Sequence, residues 1–245
     1  MVLLIVAGCF FGVISSTVGS AALITVPFLL VFGLSSTVAI ATNKFAVLSS
    51  FVTGSTKYYR KGVLKYGRLL LLLSIVSIVG SIIGAHIVLH IEQKTLRLVI
   101  VFLLIMVLAF TLRRKDHIQT ASVKNYPLGV IAVFLLAIYS GFFGAGFGSF
   151  LISSLMYFFG IEYLESAALM NVINFFAILP ATLIFMTRGT INYSYGIPLL
   201  IGFAIGGWIG AHYAVLKGNK FLRKMFVVIT SILLFKVIFD LVQTF

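Results

Sequence analysis

Apolar runs, each long enough to span a bilayer at roughly 20 residues, recur from one end of this chain to the other. They fall at 2–32, 36–56, 69–91, about 96–112, 128–161, 163–187, 195–216 and 225–242. In lipid every backbone polar group must be satisfied internally, so such runs fold as helices or closed barrels. These runs are continuous rather than alternating, which points to helices. Charged residues make up only 9% of the chain and hydrophobic residues 61%, against about 25% charged in a soluble domain. The expected fold class is an all-α polytopic membrane protein.

The net charge of +13 does not indicate a nucleic-acid partner. The Lys and Arg residues cluster in short loops between apolar runs, which is the orientation signal of a membrane protein. One cysteine, Cys9, excludes an internal disulfide. The string VAGC (6–9) looks like a lipoprotein cleavage site, but no basic stretch precedes it. Cys9 is read as a small packing residue.

Two runs are interrupted by glycine. GFFGAGFGS (141–149) holds Gly141, Gly144, Gly146 and Gly148, and GVISSTVGS (12–20) is an earlier counterpart. Glycine lets a backbone break or be closely approached. Breaks at membrane depth are tolerated where they face protein or a water-filled cavity. Two of them in matching halves point to a transporter's binding site.

Further matches follow in the same order. GSIIGAH (80–86) and GGWIGAH (206–212) agree at five of seven positions, KTLR (94–97) answers KFLR (220–223), KGVLKY (61–66) answers RGTINY (188–193), and Asn43 answers Asn171. The expected organisation is a first transmembrane repeat at 1–112, a cytoplasmic linker at 113–125 and a second repeat at 126–245. Each repeat would hold a Gly-rich broken or re-entrant helix plus three transmembrane helices, about eight membrane segments in all.

Two topologies compete. Eight full spans make the halves parallel, with 10 loop Lys/Arg on one side and six on the other. Re-entrant hairpins at 2–32 and 128–161 invert the halves and place loops 57–68, 113–124 and 217–224 on one side. The split is then 13 against three (Lys94, Arg97 and Arg188). The positive-inside rule favours inverted repeats. A straight helix over 2–32 would also run roughly 46 Å, longer than a bilayer core of about 30 Å.

A broken helix offers free N–H groups and the positive end of its dipole, which suits an anion. The candidate substrate-binding residues are therefore Ser15, Ser16, Thr17, Gly19 and Ser20 in the first half, with Gly146, Gly148 and Ser149 in the second. The bland alternative is tight helix packing through small residues. Thr42, Asn43 and Lys44 sit inside an apolar run. An intramembrane ionisable group marks a substrate or proton path, unless Lys44 lies near an interface. Asn171 and Asn174 share one helix face and could bind an oxyanion or bridge helices. His86 and His212 end the two GAH motifs and read as interface residues or helix-end caps. No HExxH, P-loop, metal cluster or cofactor motif is present, so neither an enzyme nor ATP-driven transport is expected.

The doubled glycine-rich run, Val26-Pro27, the A-x-x-T-N stretch at 39–43, the Y-x-x-G turn at 59–62 and the doubled G-x-x-x-G-A motif resemble the sulfite exporter TauE/SafE family, also called the toluene sulfonate uptake permeases. The resemblance covers nearly the whole chain. It implies a multi-pass plasma-membrane permease for sulfite, sulfonates or related sulfur-containing anions, working by alternating access with a coupling proton or sodium ion. An uncoupled anion channel or a structural membrane protein is the alternative. Ser15, Ser16, Thr17 and Ala21 stand where the family's first run carries more glycine, and Met156 where its second run carries proline.

Overall fold

A computed structural model describes residues 1–19, 21–64, 67–92, 95–96, 99, 102 and 125–217. Ser20, the runs at 96–112 and 225–242, the linker 113–125 and the loop 217–224 lie wholly or largely outside the described residues.

Eight helices are described: α1 (Val2–Val18), α2 (Ala22–Val31), α3 (Ser36–Arg60), α4 (Gly67–His90), α5 (Tyr126–Phe142), α6 (Phe147–Phe159), α7 (Tyr163–Thr187) and α8 (Tyr193–Lys217). Among them α4, α7 and α8 are long and apolar enough to cross a membrane. The 25 residues of α3 give it comparable length, but it carries Thr42, Asn43, Lys44, Ser50 and Thr53 among its residues. These polar groups are spent inward, so α3 is apolar in its surroundings rather than in its composition.

Both glycine-rich runs break and turn back. Gly19 ends α1 with φ +70° and Gly146 starts α6 with φ +76°, the left-handed region that L side chains rarely adopt. Phe11 and Phe28, on either side of the first break, stack edge-on with ring centroids 5.5 Å apart. In one straight helix these positions would be roughly 25 Å apart. Tyr126 and Phe159, the outer ends of the second pair, meet at 5.3 Å. Each run is therefore a helical hairpin, α1–α2 and α5–α6, with its break at the tip.

The hairpins are gripped by glycine contacts to distant helices. Gly8 packs on Leu199 and Gly202, Gly12 on Phe203 and Gly206, and Gly210 on Val13, so α1 and α8 run in the same direction. Gly80 packs on Phe134 and Ala137, and Gly84 on Ile138 and Gly141, so α4 and α5 also run together. Small residues let backbones approach closely where lipid supplies no hydrophobic force between helices.

Helix α3 runs beside α8 in the same sense. Gly196 abuts Phe45, Ser49 Oγ donates to the Leu200 carbonyl at 2.6 Å, Thr53 Oγ1 donates to the Ala204 carbonyl at 2.9 Å, and the Lys57 ammonium stands 4.4 Å over the Trp208 ring. The C-terminal ends of α3 and α8, at Arg60 and Lys217, consequently lie at one end of the bundle. Against α7, α3 runs antiparallel, since Gly54 faces Asn171 and Tyr58 packs near Ala168.

The reading of 57–68 as a loop is one turn too long. Helix α3 continues to Arg60 because Tyr58 is fully buried between α1 and α7. Elsewhere the outer surface is apolar: Ile197, Ile201 and Ile205 on α8, and Leu128, Ile131 and Leu135 on α5, are exposed. Large exposed apolar faces of this kind suit a bilayer.

Candidate functional site

The two hairpin tips touch. The Gly148 N–H donates to the Gly19 carbonyl at 3.1 Å, and Ser149 Oγ donates to the Val18 carbonyl at 3.1 Å. Neither glycine has room for a side chain, because a Cβ on either would enter the backbone of the other. The sequence suggested that helix starts at the breaks offer amides to an anion. In this conformation the Gly148 amide is engaged by the opposite tip.

Helix α3 supplies the charge. Lys44 is buried, at 2% exposure, and is the sole buried charged side chain among the described residues. Its Nζ donates to the Ser140 carbonyl in the last turn of α5, beside Gly144 in the second break. The free carbonyls of a helix C-terminus carry partial negative charge, so a cation there is favourable. An ammonium has three donors. Ser140 takes one, and among the described residues no second acceptor is bonded to it. The described carboxylates, Glu92, Glu162 and Glu165, stand beyond or at helix ends. Lys44 thus lies inside the protein.

Some buried polar atoms lack hydrogen-bond partners. Ser140 Oγ, on the residue whose carbonyl takes the Lys44 bond, and Asn43 Oδ1 are two of them, in residues 1% and 3% exposed. A buried polar atom without a partner costs free energy, and polar atoms of this kind are where a polar ligand would be accepted.

The first hairpin is held by neutral groups. Asn171 Nδ2 donates to the Ser16 carbonyl and to the Ala167 carbonyl, both at 2.8 Å, and Tyr58 OH donates to the same Ser16 carbonyl at 3.3 Å. Ser50 Oγ donates to Ser15 Oγ at 2.8 Å. Ser16 and Thr17 bond back to the Val13 carbonyl within their own helix.

The structure therefore separates the sequence-expected residues into groups. Gly19, Gly148 and Ser149 form the tip contact. Ser15, Ser16 and Asn171 form a clasp on the first hairpin, while Lys44 clasps the second. Thr42 pins the turn before α8, since its Oγ1 accepts from the Asn192 N–H at 3.0 Å. Asn174 Nδ2 faces Met170 Sδ at 3.0 Å. Gly146 shapes the break, and Ser20 lies outside the described residues. Among the GAH histidines, His86 Nδ1 sits 2.9 Å from the Ile82 carbonyl in its own helix, whereas His212 Nδ1 is buried without a partner.

Ser140 and Tyr58 were not foreseen. The signal for Tyr58 was an aromatic at the edge of a basic loop. Ser140 immediately precedes the glycine stretch, where the last free carbonyls of α5 had to lie.

The model of the sulfite exporter TauE/SafE family matches residues 4–237. The chain belongs to this family. Among similar family proteins, the probable membrane transporter protein YfcA of Escherichia coli K12 is 28% identical over 94% of this chain and 86% of its own length. A probable membrane transporter protein from Sinorhizobium is 27% identical over 97% of this chain and 92% of its own. Another from Haemophilus influenzae is 26% identical over 93% and 90%. No solved structure matches the chain significantly. The apolar helices and this membership together make it a membrane protein of a transporter family.

Proposed function

We propose that this TauE/SafE family protein is a multi-pass secondary transporter of the plasma membrane that carries small sulfur-containing anions, sulfite or organosulfonates, by alternating access. One observation carries the reading. Lys44, a buried cation with unused donors and no carboxylate partner among the described residues, stands at the tip of a broken helical hairpin. An intramembrane charge of this kind marks a substrate or ion path. Ser140, whose hydroxyl is buried without a partner, would offer a further donor to an oxyanion held there, and the tip contact of Gly19, Gly148 and Ser149 would close the site.

In the proposed topology the halves 1–112 and 126–245 are inverted repeats, and the hairpins enter from opposite sides. Support comes from the common end reached by α3 and α8, where Arg60 and Lys217 lie together; in this reading that end is the more basic, cytoplasmic one. Support also comes from the tips meeting in the interior, where inverted-repeat carriers bind their cargo. Loosening the tip contact on one side at a time would expose the pocket alternately. Coupling to a proton or sodium ion would supply the driving force.

The test is counterflow in proteoliposomes loaded with sulfite or an organosulfonate. A carrier shows uptake of labelled anion accelerated by unlabelled anion on the far side. Flux without that acceleration indicates a channel, and no anion flux from folded protein refutes the proposal.

A further inference from the structure

We infer that Lys44 sets the charge of the cargo, so that the site accepts a monoanion and rejects a dianion of the same shape. The inference rests on the anion-transport reading above and adds a charge rule to it. Lys44 is the sole buried charged side chain among the described residues. The groups shown beside it are neutral: Ser140, through its carbonyl, and the Gly144 backbone. On the equivalent first-half carbonyl, at Ser16, the donors Asn171 and Tyr58 are neutral too. Among the described residues the buried interior therefore offers one positive charge.

A charge taken out of water is costly unless it is paired and hydrogen-bonded. One negative charge against the Lys44 ammonium forms a neutral pair. The two ammonium donors not used by Ser140 reach two oxyanion oxygens, and the unpartnered Ser140 hydroxyl can donate to another. A second negative charge would remain uncompensated in the same low-dielectric space. Neutral hydroxyls and amides lower its cost but do not cancel it. Discrimination by an unpaired buried charge is the negative element that specificity requires.

Methanesulfonate and sulfate isolate the effect, since both are tetrahedral sulfur oxyanions and they differ by one charge at neutral pH. The full chain is reconstituted in proteoliposomes and counterflow of labelled methanesulfonate is measured with each anion as competitor. Unlabelled methanesulfonate is expected to compete at a concentration more than about tenfold below that needed for sulfate. Lys44→Met keeps the stem without the charge, and is expected to lose methanesulfonate exchange. Its helix content and monodispersity serve as the folding control. As a second readout, the purified wild type is expected to gain thermal stability with methanesulfonate and not with sulfate, and Lys44→Met with neither. Equal competition by sulfate overturns the charge rule and leaves anion transport standing. Exchange by Lys44→Met with the wild-type preference also overturns it. Exchange of neither anion by folded wild type overturns both readings.

Discussion

Lys44 and Asn171 are each the ninth residue of a 25-residue helix, and each donates an N–H to the carbonyl of the third-last residue of a hairpin's first helix: Lys44 to Ser140, Asn171 to Ser16. The same bond is thus made twice, each time from one half of the sequence to the other. It is charged in one case and neutral in the other. Tyr58 reinforces the neutral clasp through its hydroxyl, whereas Phe185, at the matching place in α7, has none. The two hairpins are alike in geometry and different in chemistry.

Removing the neutral clasp weakens the first hairpin. Asn171→Ala deletes donors to both Ser16 and Ala167 and leaves the buried Ser16 carbonyl with Tyr58 as its remaining side-chain donor. A loss of about 1–3 kcal/mol is expected. Unfolding of the purified protein in detergent measures it. Stability equal to wild type would show that the bond contributes nothing.

The tip contact tolerates no side chain. Gly148→Ala places a methyl group in the Gly19 backbone, an overpacking that costs roughly 1–3 kcal/mol. Gly19→Ala adds a left-handed residue to the same clash, at φ +70°, so it should be the more damaging of the two. Thermal stability and exchange rate are both expected to fall in the order wild type, Gly148→Ala, Gly19→Ala. The reverse order of the two variants would contradict the account.

The topology is open to chemical labelling. In a Cys9→Ser background, single cysteines at Lys61, Lys217 and Arg188 are probed with a membrane-impermeant maleimide in intact cells and in inverted vesicles. Positions 61 and 217 are expected to label from the cytoplasmic side and position 188 from the other. Label at 217 from outside the cell would rule out inverted halves.

Much of this was legible in the sequence. The apolar run at 163–187 coincides with α7, and both breaks fall within their glycine-rich strings. Lys44 stood out because a charge inside an apolar run has few places to go. What was not legible depended on contacts between distant segments. The sequence aligned Asn43 with Asn171 by identity, whereas counted from the first residues of α3 and α7 it is Lys44 that stands level with Asn171. Thr42 looked like a neighbour of the site, but one position along a helix turns a side chain by roughly 100°, and it faces Asn192. That the Gly148 amide is taken by Gly19 follows from the crossing of two hairpins, which no local pattern encodes.

The central claim, that the buried Lys44 is where the anion is held, is tested most directly by exchange in proteoliposomes with two lysine variants side by side. Lys57→Gln removes a cation that lies over Trp208 at the end of α3, away from the hairpin tips, and is expected to exchange sulfite or methanesulfonate within about twofold of wild type. Lys44→Met, equally well folded, is expected to fall to the rate of protein-free liposomes. Exchange by Lys44→Met at the wild-type rate would contradict the account.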